Sequence, residues 1–75
     1  MYNSYMSTDF SNNKLKELRL EKGLSQRELA KLTGIKQANI SRWEAGIVVP
    51  SVLDVWVLAE FFDCSIDYLV GKEKF

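Results

Sequence analysis

Between Gln37 and Trp43 the side chains alternate between groups that can make directional contacts and groups that must be buried. Ile40 and Trp43, three residues apart, share one side of a helix. What remains outward is Gln37, Ala38, Ser41 and Arg42, with Lys36 and Asn39 at the margins. Such a face carries an amide, a hydroxyl, a guanidinium and a methyl. These are groups that can read the edges of base pairs: Gln pairs with adenine, Arg with guanine, and a methyl touches the thymine methyl. The same composition also describes any solvated helix face, so it gains meaning only from what surrounds it. Catalytic chemistry finds no such foothold. The chain has no histidine and a single cysteine, Cys64, which excludes a histidine base, an internal disulfide and a cysteine-cluster zinc site. No enzyme activity, cofactor or small-molecule ligand is expected.

The elements that position this face follow from local signals. Residues 1–12 are polar with scattered aromatics and show no helical period, so they read as an arm. A first helix is expected from Asn13 to Lys22, with Leu15 and Leu18 on one face and Gly23 as its stop. Ser25 and Glu28 have the spacing of a capping box, which opens a second helix carrying Leu29, Ala30 and Leu32 and ending at Gly34. Only Gly34 and Ile35 separate it from a third helix, Lys36 to Ala45, closed by Gly46. A link that short forces two helices to meet at a steep angle. Ser51 and Asp54 form a second capping pair after Pro50 and open a fourth helix reaching Phe62. Ser65 caps a short fifth helix through Leu69, closed by Gly71, with residues 72–75 as a tail. There is no strand pattern, repeat or low-complexity stretch. The fold class is all-α, a compact five-helix domain over residues 13–71.

Seventy-five residues make one domain, and nearly half are apolar, enough for a core without staples. Net charge is zero, yet its distribution is uneven. Lys14 to Gly46 holds eight basic and four acidic residues, whereas Ile47 to Gly71 holds four acidic and no basic ones. A basic half followed by an acidic half is a directional signal for an anionic partner of the first. No signal peptide or membrane-spanning apolar run is apparent, so a cytoplasmic location is expected.

The run from Gln26 to Trp43, QRELAKLTGIKQANISRW, resembles the helix-turn-helix of the phage repressor and Cro family, the Xre type. Ala30, Gly34, Ile35, Ile40 and Trp43 stand where that family places its core positions. The likeness extends to Leu18-Arg19 before the run and to Glu44-x-Gly46-x-x-x-Pro50, Leu58-Ala59 and Asp67-Tyr68-Leu69 after it. The resemblance implies a lambda-repressor-like fold and a homodimeric transcriptional repressor that reads a near-palindromic operator on double-stranded DNA. It makes Gln37, Ala38, Ser41, Arg42 and Lys36 the base-reading residues. It makes Gln26 a phosphate contact that also braces the recognition helix. Arg27, Lys14 and Lys31, with Asn39 at the margin of the third helix, are further candidates for backbone contact, with ordinary solvated surface as the alternative. Arg19 and Glu44 correspond to a partly buried ion pair that is structural rather than DNA-reading.

Two departures stand out. The third helix opens on Lys36 where the family usually has Ser or Thr, and lysine can neither cap free amides nor suit the helix dipole. A nearby phosphate or guanine would offset that. The fourth helix is apolar on two sides: Val52, Val55, Ala59 and Phe62 suit a core, while Leu53, Val57 and Phe61 lie almost opposite, flanked by Trp56. With Val48 of the Ile47-Val48-Val49 link, these residues are the expected dimer interface; packing of the arm onto the stripe is the rival. A function of a different class is also open, a protein-interaction module such as an antitoxin whose apolar, acidic C-terminal half covers a toxin.

Overall fold

In a computed structural model, residues 12–72 are described. Of the expected arm (residues 1–12) all but Asn12, and of the expected tail (72–75) all but Lys72, lie outside them. Five helices follow in order: α1 Leu15–Glu21, α2 Gln26–Thr33, α3 Gln37–Glu44, α4 Val52–Phe62 and α5 Ile66–Leu69. Among the described residues there is no strand, and no helix is long and apolar enough to cross a membrane.

Side-chain caps set most of the helix starts. The Ser25 hydroxyl accepts from the Glu28 amide, while the Glu28 carboxylate accepts from the Ser25 amide, so both halves of the capping box form. Ser51 and Ser65 likewise accept from the amides of Asp54 and Tyr68. The Asp54 carboxylate accepts from the Ser51 hydroxyl at 2.9 Å. Helix α1 begins two residues later than its period suggests. The cause is Asn13, whose Oδ1 accepts from the Leu15 amide at 2.9 Å and takes up a donor the helix start would leave orphaned. At the junction of α2 and α3, Gly34 adopts φ 78°, a left-handed conformation that costs a residue with a Cβ about 1–2 kcal/mol. That turn sets the angle between the two helices.

The core gathers Leu15 and Leu18 from α1, Leu29 from α2, Ile40 and Trp43 from α3, Leu69 from α5, and Val55, Leu58, Ala59 and Phe62 from α4. The α4 set, spaced i, i+3, i+4, i+7, is the buried stripe of an amphipathic helix. One expected core member is displaced. Val52 is 77% exposed, and Leu58, at 1%, is the buried residue. Val52 occupies the first turn of α4, where nothing covers it, whereas Leu58 sits mid-helix under its neighbours. Phe61 also departs from the simple two-faced picture. It is half-buried against the core, edge-to-face with Phe62 at 5.0 Å, and the Lys22 ammonium lies 5.7 Å from its ring centroid.

The described chain closes on itself. The Lys14 amide donates to the Leu69 carbonyl at 2.8 Å, fastening the entry to α1 against α5. Close by, Gly71 holds φ 87°, and a Cβ there would collide with the backbone carbonyl of Asn12.

Candidate nucleic-acid interface

Helix α3 turns Ile40 and Trp43 into the core and leaves Gln37, Ala38, Ser41 and Arg42 exposed, as its period requires. Lys36 is exposed at the N-cap in extended conformation, and its side chain makes no capping bond. The Asn39 amide donates to the Lys36 carbonyl at 3.0 Å, so it is the amides of Gln37 and Ala38 that depend on solvent or a ligand for partners. Asn39 is half-buried, and its Oδ1 accepts from Arg42 Nη1 at 3.0 Å. Five of the six outward residues carry polar or charged groups on one short surface.

Behind this surface lies the most buried polar cluster among the described residues. Arg19 Nε donates to Glu44 Oε2 at 2.6 Å and Arg19 Nη2 to Oε1 at 3.1 Å, a two-pronged pairing. The two side chains are only 9% and 5% exposed. Hydrogen bonding and charge from Glu44 hold the guanidinium's pKa above its ordinary value despite the opposing effect of burial. Arg19 Nη1 also donates to the Leu24 carbonyl at 2.7 Å, tying down the loop into α2. Glu44, the last residue of α3, is thus fixed to α1.

Gln26 completes the cluster. Its Nε2 donates to Glu44 Oε1 at 3.0 Å, joining the first residue of α2 to the last of α3. One Nε2 proton remains for an outside acceptor, as do the amides of Gln26 and Arg27, which have no carbonyl one turn earlier. Arg19 neutralises Glu44, so the carboxylate can sit behind this donor group without repelling an anion. Lys14 is half-buried, with its ammonium 3.8 Å from Glu17.

A further support escapes sequence reasoning. Asn13 Nδ2 donates to the Trp43 carbonyl at 3.0 Å, a second strut from the entry of α1 to the end of α3. The only signal in the sequence is a polar residue just before the first apolar one. On α4, Leu53, Trp56 and Val57 are exposed and line an open groove with Phe61, Leu32 and Thr33. Leu32 is 59% exposed and joins the groove from α2. Val48 is exposed on the α3–α4 link and is not among the residues lining this groove.

A short glycine turn joining two helices, the second with a polar outer face, defines the helix-turn-helix class of DNA-binding domain. The helix-turn-helix family model HTH_3 matches residues 15–69, and the chain belongs to this family. A transcriptional activator of Enterococcus faecalis, BcrR, is 35% identical over 63 residues, covering 84% of this chain and 31% of its own length. The transcriptional regulator AnsR of Bacillus subtilis is 37% identical over 62 residues, covering 83% of this chain and 53% of its own. Among solved structures, an HTH_3 family transcriptional regulator from Vibrio cholerae superposes with TM-score 0.71 at 29% identity, over 91% of this chain and 38% of that one. The SOS-response repressor LexA from Eubacterium rectale superposes with TM-score 0.77 at 27% identity, over 100% of this chain and 79% of that one. The chain spans about a third to a half of the two curated relatives.

Proposed function

We propose that this domain binds double-stranded DNA sequence-specifically, as a cytoplasmic transcriptional repressor acting by occupancy of its operator. The observation that carries the reading is the exposed face of α3 backed by the Arg19–Glu44–Gln26 cluster. In it Gln37, Ala38, Ser41 and Arg42, with Lys36 at the helix start, meet base edges in the major groove. Gln26, Arg27, Asn39 and Lys14 contact phosphates and set the register. Anchoring Gln26 to the end of α3 means that a phosphate gripped at the start of α2 fixes the recognition helix relative to the duplex. Two copies pair through Leu53, Trp56, Val57 and Phe61 of α4 and through Val48 of the α3–α4 link, so that two recognition helices meet a near-palindromic site. One observation favours the rival protein-interaction reading, the open apolar groove on α4; a groove left uncovered in a DNA-bound dimer would support it.

Selection from random duplexes with the purified protein and two variants tests the proposal. Arg42→Ala should change the preferred base at one position, at about 1–3 kcal/mol for a bidentate contact. Gln26→Ala should weaken all duplexes alike while leaving the salt dependence unchanged, because its amide carries no charge. Enrichment of no sequence by the wild-type protein overturns sequence-specific binding.

A further inference from the structure

We infer that Asn39 is a positioning residue for Arg42, and thereby a determinant of which base the protein prefers. The inference rests on the reading of Arg42 as a base contact. The two residues lie one helical turn apart on α3, where side chains three apart are neighbours. Asn39 Oδ1 accepts from Arg42 Nη1 at 3.0 Å. The arrangement is asymmetric: Asn39 is half-buried while Arg42 is exposed. A short, less exposed side chain therefore restrains a long one reaching outward.

Arginine carries much rotamer entropy, and ordering it on the duplex costs part of the contact it makes. A guanidinium already fixed at one nitrogen loses less on docking. The geometry spares the donors that recognition needs. A guanidinium has five N–H groups, and the bond to Asn39 uses one of them. Four remain, one on Nε, one on Nη1 and two on Nη2, enough for the two parallel bonds to guanine N7 and O6. In water such a surface bond is weak; in a groove that excludes water it gains strength. Asn39 keeps its own amide protons for a phosphate, so one side chain would fix both the register of the helix and the direction of its arginine.

The test compares base preferences at every operator position for the wild-type domain and for Arg42→Ala, Asn39→Ala and Asn39→Asp, using competition among single-substituted duplexes, with circular dichroism to verify folding. Arg42→Ala should lose the preference at one base pair, and Asn39→Ala should relax it at that same pair, by roughly 3- to 10-fold as the ordering cost returns. Asn39→Asp keeps an acceptor for Nη1, so it should retain that preference while weakening every duplex through its added negative charge. A uniform loss in Asn39→Ala with the preference intact would make Asn39 a phosphate contact only and overturn the inference. Loss of the preference in Asn39→Asp to the same degree as in Asn39→Ala would also overturn it. If Arg42→Ala alters no preference, the assignment of Arg42 as a base contact is what fails.

Discussion

Arg19 and Glu44, twenty-five residues apart in sequence, meet with 2.6 Å between Nε and Oε2 and are almost withdrawn from solvent. Their charges cancel where α1, the loop into α2 and the end of α3 converge. Removing either partner strands the other, and a buried unpaired charge costs about 3–5 kcal/mol. Arg19→Ala and Glu44→Ala should each lower the midpoint of urea unfolding markedly. Glu44→Ala should also release Gln26 and weaken binding to every duplex. Midpoints equal to the wild type would mean that the pair is dispensable to the fold.

Assembly gives a second expectation. Leu53, Trp56 and Val57 present exposed apolar surface on α4, and pairing through it would hold two recognition helices about one DNA turn, ~34 Å, apart. Val57→Lys or Leu53→Glu should yield a folded monomer with poor operator affinity. Both positions suit the experiment better than Phe61, whose contact with Phe62 would carry any substitution into the core. Sedimentation at micromolar concentration decides: a wild-type domain that is monomeric both free and on its operator contradicts pairing.

The capping box of α2 should make stability pH-dependent. Accepting the Ser25 amide, then the Ser25 hydroxyl interaction, holds the Glu28 carboxyl below its ordinary value of 4.5. A depressed folded-state pKa favours the native state above the unfolded value, and that contribution disappears as pH falls through the folded one. Unfolding midpoints of wild type and Glu28→Gln should therefore differ near neutrality and converge in acid. A gap independent of pH would show that ionisation of Glu28 contributes nothing. Ser25→Ala, which removes the cap oxygen itself, should cost about 1 kcal/mol.

Local chemistry is legible in the sequence itself. Ser25 with Glu28, Gly34, Ser51 and Ser65 announce helix ends within three or four residues, and each stands where its spacing implied. The outward set on α3 follows from a single period anchored on Ile40 and Trp43. The Arg19–Glu44 pair came from the family likeness alone, because nothing in the chain between them marks the contact. Other features depend on what lies beside a helix rather than on the helix itself. Val52 and Leu58 are equally apolar, and a helical wheel assigns each a direction without saying which turn is covered. The bracing role of Gln26 came from the same likeness, though its partner Glu44 did not; the Asn13–Trp43 bond spans thirty residues, and only the assembled fold brings those atoms together.

The contact of Asn12 with Gly71 and the bond from Lys14 to Leu69 have a mechanical consequence. The described chain enters and leaves at one seam, so a force pulling its two ends apart would act across that seam. Tension between the two sides would load that seam first. It would peel α5 from the entry of α1 before any strain reached the turn between α2 and α3. The same closeness suits the domain to transplantation, since a surface loop of a host protein could be cut and the five helices spliced in with short joints.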